Sequence, residues 1–346
     1  MFALHTTGLA ALLEDVLGSA RARRVLATLE VPTELLGVTD QRFDRSQLAF
    51  ALTAVLFDDV LRRVPMADAY AGDARRQQRR LRFDHGALRT VAAPSGELPP
   101  GRYSISRILE PLGYEQRGIY PLERLGMTGF AYAHTDRPEQ IPQFFVSELH
   151  PERFSTDFQR AVHRVVGQSA DPLPMWAQSY LDELVEVGHL PRQAAARLLP
   201  MLAACFDRHH AEPALADYEL LRAESAEMAW MATEGQAFNH ATDRVEDVKE
   251  VARHQRELGR PVKTEIEVSQ SGRVVQTAFH AASVERLFVD SHGHLVARWV
   301  PGSFHEFISR AERAPGELDL AFDSSNAQGI FRMTNGECAG IEEVSE

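Results

Sequence analysis

Phe83-Asp84-His85-Gly86-Ala87-Leu88-Arg89 and Phe238-Asn239-His240-Ala241-Thr242-Asp243-Arg244 share the pattern F-x-H-x-x-x-R. A match this short is compatible with chance by itself. Its setting is what gives it weight. Residues 81–91 read as a strand, 102–114 as a helix opened by Ser104 or Ser106 and broken near Gly113, and 114–122, 127–135 and 142–150 as strands. After the second copy the order returns. Residues 235–241 read as a strand and 243–259 as a helix, with Asp243 and Glu246 spaced like a capping box. Strand-like pieces follow at 263–270, 272–281, 285–290 and 293–300, the last two joined by a turn at Ser291 to Gly293. One motif at one place in two copies of one element order points to internal duplication.

The fold class expected is α+β: two β-α-β-β-β modules closing into a half-open barrel, with helical regions before and between them. The boundaries read are 1–81 for an N-terminal helical region, 82–152 for the first module and 153–232 for a helical insertion. The second module takes 233–312 and a C-terminal segment 313–346, all within a single catalytic domain, 1–346. In the first region Leu9, Leu12, Leu13 and Val16 keep a helix period, as do Leu48, Leu52, Val55 and Leu56. Arg75 to Arg82 form a basic end suited to a helix C-terminus. In the insertion, Pro172, Pro174, Pro191, Pro200 and Pro213 divide the run into separate helices.

Two histidines on equivalent strands face each other across such a cup. One carboxylate completes a facial set of two His and one acid, which leaves adjacent positions open for a chelating substrate and O2 and suits Fe(II). Glu306, in Pro301-Gly302-Ser303-Phe304-His305-Glu306-Phe307, is one candidate, read as lying just beyond the last strand. Glu148 is its apparent counterpart, since it follows His85 by 63 residues and Glu306 follows His240 by 66. Pattern favours Glu306 without closing the choice. A strand histidine is ordinarily a packed or surface residue, and only the repeat lifts His85 and His240 above that reading.

Arg89 shares a strand face with His85 and can reach the cavity to grip a carboxylate, although pairing with a neighbouring acid explains it equally well. Arg244 is read as structural, because a helix starting at Asp243 turns it away. His292-Gly293-His294 is read as turn chemistry and His209-His210 as a helix end.

The formal net charge of −12 argues against a nucleic-acid partner. Two cysteines, Cys205 and Cys338, are too few for a disulfide framework. The first twenty residues carry Glu14 and Asp15 within their apolar stretch, which reads as an amphipathic helix rather than a leader, and no run reaches the length of a membrane span. A cytoplasmic setting with no membrane partner is expected, and the oligomeric state stays open. GxGxxG, P-loop, HExxH, CxxC and GxSxG patterns do not occur, so nucleotide, zincin and serine-hydrolase chemistry lacks support.

At these residues the chain resembles the 2-oxoadipate dioxygenase/decarboxylase family. The resemblance rests on FDHGALRTV (83–91), FFVSELHPERFS (144–155), FNHATDRVEDV (238–248), GSFHEFISR (302–310) and FDSSNAQGIFRMTNG (322–336), in the family's order. It implies a vicinal-oxygen-chelate-like core and Fe(II) held by His85, His240 and Glu306. It also implies Arg89 as the substrate-binding and catalytic arginine, with Ser324 and Ser325 as further substrate-binding residues. The implied reaction takes 2-oxoadipate and O2 to 2-hydroxyglutarate and CO2 in lysine catabolism, and the substrate's own 2-oxo acid replaces any external reductant. Larger members carry sequence beyond the FDSSNAQGIF segment, so a related 2-oxo acid remains open as the substrate. Two other classes compete: a redox-inert metal lyase or isomerase on the same scaffold, and a non-catalytic binder of a metal or small acid.

Overall fold

The computed structural model describes residues 7–36 and 41–323. Four helices come first: α1 (Gly8–Leu17), α2 (Ser19–Thr28), then α3 (Arg45–Arg63) and α4 (Pro65–Arg76). Asp44 and Gln47 close a reciprocal capping box on α3. That helix is apolar around most of its circumference and is buried almost throughout, as an all-round hydrophobic helix must be. A strand that the sequence does not announce, β1 (Arg42–Asp44), precedes it and pairs with the equally short β6 (His189–Pro191).

The first module is β2 (Phe83–Val91), α5 (Tyr103–Leu109), β3 (Tyr114–Leu122), β4 (Met127–His134) and β5 (Gln143–Leu149). The serines expected to open α5 do not cap it. Arg102 is its N-cap, and Glu148 Oε2 accepts the Arg102 N–H at 2.7 Å. The insertion holds α6 (Thr156–Val166), α7 (Met175–Val187), α8 (Arg192–Ala204), α9 (Leu215–Glu224) and α10 (Ala226–Glu234). Pro200 does not separate two helices as expected. It lies inside α8, where it forgoes one backbone bond and the helix ends soon afterwards.

The second module runs β7 (His240–Arg244), α11 (Val248–Glu257), β8 (Glu267–Val268), β9 (Val274–Ala278) and, after a hairpin, β12 (Phe304–Arg310). Three expectations change here. Asp243 and Arg244 belong to strand β7, because Asp247 rather than Asp243 caps α11, accepting from Lys249 and Glu250. The hairpin strands β10 (Ser283–Val289) and β11 (Leu295–Pro301) leave the main sheet and pair with each other, with one further bridge from Val289 to Ala214. Glu306 sits within a strand, not beyond one.

The eight strands of the curled main sheet lie in the order β3-β4-β5-β2-β7-β12-β9-β8. The two halves mirror each other: β2-β5-β4-β3 in one, β7-β12-β9-β8 in the other. Parallel pairs β2–β5 and β7–β12 flank the antiparallel β2–β7 seam. Register corrects the proposed counterpart of Glu306. His85 stands opposite Gln143 and Ala87 opposite Phe145, whereas His240 stands opposite Phe304 and Thr242 opposite Glu306. The equivalent of Glu306 is therefore Phe145, and Glu148 lies three residues further along.

Alternation sends Leu88, Phe144, Val146, Ala241 and Phe307 to the outer face, into one core shared with α1–α4, α7 and α8. A second core gathers Val91, Leu149, Phe288 and Val300 with α6, α9 and α10 at one end of the sheet. No helix among the described residues is long and apolar enough to cross a membrane.

Candidate metal centre

The inner face of the seam carries His85, His240 and Glu306, all buried, with one ligand atom from each within 4.8 Å of the others. Glu306 Oε2 is 3.1 Å from His240 Nε2 and 3.4 Å from His85 Nε2. Metal bonds of roughly 2.0–2.2 Å at right angles put neighbouring donor atoms about 3 Å apart, so this spacing fits one face of an octahedral ion. The two imidazoles meet nearly perpendicular, at 84° and 5.5 Å between centroids. The second carboxylate oxygen, Glu306 Oε1, is buried with no hydrogen-bond partner among the described residues.

The donors are oriented by their neighbours. Thr242 Oγ1 donates to Glu306 Oε2 at 2.6 Å and lies 3.2 Å from His85 Nε2. The β2–β7 register slips between Phe83 and His85, and this brings Asp84 beside the ring that follows it. Asp84 Oδ1 is 2.8 Å from His85 Nδ1. The second copy repeats the device with an amide: Asn239 lies 2.9 Å from His240 Nδ1. The nearer amide atom is Asn239 Nδ2; turning the amide over, which leaves its shape unchanged, would let Oδ1 accept the Nδ1 proton and leave Nε2 to face the other donors.

Burial opposes charge on Glu306, yet the adjoining His240 and His85 hold its carboxyl well below the usual range. Burial likewise disfavours charge on Asp84, and Arg310 and His85 outweigh it. Burial disfavours the His85 cation, but Asp84 and Glu306 raise its pKa nonetheless. Burial lowers the pKa of His240, which has no carboxylate behind it. Two buried carboxylates and two imidazoles make a pocket that attracts a cation.

Arg89 points from β2 on the same face as His85 and is fully buried. Burial pushes its pKa down to about 10, while the Glu227 carboxylate acts in the opposite direction. Its guanidinium lies 5.1 Å over the Trp230 ring, and the Trp230 indole N–H donates to Gly302 O at 3.1 Å. The insertion thus supplies, from α10, the wall against which Arg89 rests. Arg244, read as structural, lies on β7 and donates to Glu139 O. Ser324 and Ser325 fall outside the described residues. His292 and His294 sit at the hairpin tip, where Asp290 accepts both their backbone N–H groups, in keeping with turn chemistry.

Residues 52–314 match the profile of the family described as 2-oxoadipate dioxygenase/decarboxylase. The chain belongs to that family. It is accordingly an oxidoreductase, and it carries a buried triad whose donor atoms could hold a metal ion. A solved structure from Ralstonia eutropha JMP134, provisionally assigned to the glyoxalase superfamily, shares 51% identity over 91% of this chain and 98% of that one, with a TM-score of 0.88. The hydroxyglutarate synthase of Oryza sativa, solved with 2-oxoadipate, shares 18% identity over 90% and 96% of the two chains at a TM-score of 0.64. The hydroxyglutarate synthase of Pseudomonas putida shares 18% identity over 84% and 74% at 0.54. These last two show the family's fold. No curated protein matches the chain.

Asp84, Thr242 and Trp230 escape the motif analysis. An acid directly before a ligand histidine is a usable signal for Asp84. Thr242 owes its place to register alone, and Trp230 to packing between distant segments.

Proposed function

We propose that this chain is a single-domain Fe(II) dioxygenase/decarboxylase that converts 2-oxoadipate, or a close 2-oxo acid, and O2 to 2-hydroxyglutarate and CO2. The observation that carries the reading is the buried facial set of His85, His240 and Glu306 on adjacent strands of a sheet whose same face bears Arg89. Those three residues would hold Fe(II), which when bound supplies the redox chemistry that lets O2 react with a chelated 2-oxo acid. The equation balances without an external reductant. C1 leaves as CO2, and the two atoms of O2 end in the new carboxylate and the new hydroxyl.

The chain's own part is orientation. Asp84 and Asn239 fix the two imidazoles with Nε2 forward, and Thr242 fixes the Glu306 oxygen that lies between them. Arg89 would bind the distal carboxylate through a planar fork steadied on Trp230, so that one carbon of the acyl chain is presented to the oxidant. Ala87, between His85 and Arg89 on β2, gives the chain a small, apolar floor. The buried setting excludes water that would compete for the open positions.

The test is direct. Protein loaded anaerobically with Fe(II) should consume O2 and release CO2 with 2-oxoadipate, and His240→Ala should abolish both. Absence of turnover across a panel of 2-oxo diacids overturns the reading, and activity that persists without O2 on Zn2+ assigns the site to a lyase or isomerase.

A further inference from the structure

The inner face between the metal ligands and Arg89 is not open on both sides. Phe322, in the segment that follows the last strand of the sheet, stands over it. Its ring is edge-on to His85 at 4.8 Å and 89°, and 4.7 Å from the ring of Phe145. Phe145 is the cross-strand neighbour of Ala87, which is itself midway between His85 and Arg89. Ala87, Ala131 and Phe145 form a small buried cluster on which Tyr120 and Phe322 pack. The ring of Phe322 therefore flanks the stretch of β2 between His85 and Arg89. Phe304, stacked on His240 at 4.8 Å, lies on the opposite side of the ligand set.

This ring is held from several directions. The Phe322 N–H donates to Tyr120 Oη at 3.1 Å. Arg310 Nη1 donates to the carbonyls of Asp319 at 2.9 Å and Ala321 at 2.8 Å, and the guanidinium lies 5.2 Å from the Phe322 ring centroid. Gln143 Nε2 reaches Leu320 O at 3.3 Å, and Arg273 holds the Asp319 carboxylate at 2.7 Å. The same Arg310 forks onto Asp84, the carboxylate behind His85. A longer acyl chain held at the same two ends must bow sideways, and a wall fastened this way yields only by breaking polar contacts that are buried or partly buried.

We propose that Phe322 is the specificity-determining side chain that limits the acyl-chain length of the 2-oxo acid, with Arg310 holding it at a fixed distance from His85. This inference rests on the function proposed above. A methylene that an apolar wall accepts or refuses is worth roughly 10–200-fold in discrimination.

The experiment compares linear 2-oxo dicarboxylic acids of five, six and seven carbons on the Fe(II)-loaded enzyme. It reads kcat/KM by O2 uptake and, without O2, affinity by calorimetry. Phe322→Ala should raise the seven-carbon to six-carbon ratio at least about tenfold in both readouts, with Phe322→Leu intermediate. Phe322→Leu keeps an apolar group against Phe145 and so guards against a folding failure in the alanine variant. A wild type that turns over and binds none of these acids overturns the function and this inference together. A wild type that is active, with ratios unchanged in both variants whatever their absolute rates, overturns this inference alone.

Discussion

Asp84 Oδ1 lies 2.8 Å from Nδ1 of His85, and the same carboxylate is held by Arg310 Nε and Nη2 at 2.9–3.1 Å. Neither partner is exposed, so the pair acts at low dielectric on a ring whose other nitrogen faces the metal position. Asp84→Asn keeps the shape and an acceptor for Nδ1 but removes the charge. Metal affinity should fall about 10–100-fold, the usual cost of losing such a partner, as read by chelator competition with Co(II). Arg310 would then be a buried cation without its anion, and stability should drop by about 3–5 kcal/mol in urea unfolding. A variant with unaltered metal affinity would show that His85 needs no carboxylate behind it.

In the proposed function Arg89 binds the distal carboxylate, and the Trp230 ring beneath its guanidinium steadies it. Arg89→Met should raise KM for 2-oxoadipate by about 10–150-fold, the range for losing a charged hydrogen bond of about 1.5–3 kcal/mol. The monoacid 2-oxohexanoate, which offers no distal charge, should be affected far less. Trp230→Phe keeps a ring beneath the guanidinium but loses the indole donor to Gly302 O. A few-fold rise in KM is expected, with a stability loss of about 1–3 kcal/mol because the buried Gly302 carbonyl is left unpaired. Equal effects of Arg89→Met on the diacid and the monoacid would remove Arg89 from substrate recognition.

His85 and His240 were legible in the sequence because the same three letters recur at the same place in two modules. Glu306 was not separable from Glu148 by counting, since residue counts ignore register. The pairing of β12 with β7 puts Glu306 beside Thr242, while Glu148 serves the start of α5. Asp243 and Glu246 imitate a capping box, so the sequence places the helix start too early, although Asp247 is the residue that caps it. Local chemistry cannot rank two plausible caps, but the sheet can: Asp243 is claimed by Tyr70 Oη and the Arg82 N–H. The role of the insertion was out of reach, because Trp230 meets Arg89 only once α10 is folded against β2.

His305, next to a ligand but on the opposite face, is buried among the rings of Phe57, Tyr70, Phe279 and Phe307. Neither ring nitrogen has a hydrogen-bond partner among the described residues, and burial lowers its pKa to about 3. A group with a depressed histidine pKa stabilises the fold above its unfolded value, near 6.5, and that contribution is lost as pH falls toward 3. His305→Leu should therefore be as stable as wild type or more so at neutral pH, within about 1–3 kcal/mol, because an unpaired polar group leaves the core. Between pH 6.5 and 4 it should lose less stability than wild type. Parallel stability curves for the two proteins would mean the imidazole is paired after all.

Asp243 gives the opposite sign. Burial raises its pKa to about 7, against the pull of Tyr70, Arg79 and the Arg82 N–H. A carboxyl with a raised pKa stabilises the fold fully below its unfolded value, near 3.9, and that contribution is lost as pH rises through 7. Asp243→Asn retains an acceptor for Tyr70 and Arg82 and stays neutral throughout. Wild-type unfolding free energy should therefore decline relative to the variant from pH 5 up to about pH 7, where the folded carboxyl ionises, and run parallel to it above that. At pH 5 the wild-type carboxyl is itself protonated, so Arg79, 3.7 Å away, loses no ion pair and the variant's absolute stability there should lie close to that of wild type. Urea titrations at half-unit pH steps resolve the two slopes. If wild type and Asp243→Asn keep a constant difference from pH 5 to 8, the carboxyl is already ionised in the fold and the outward pull of Arg79 dominates its burial.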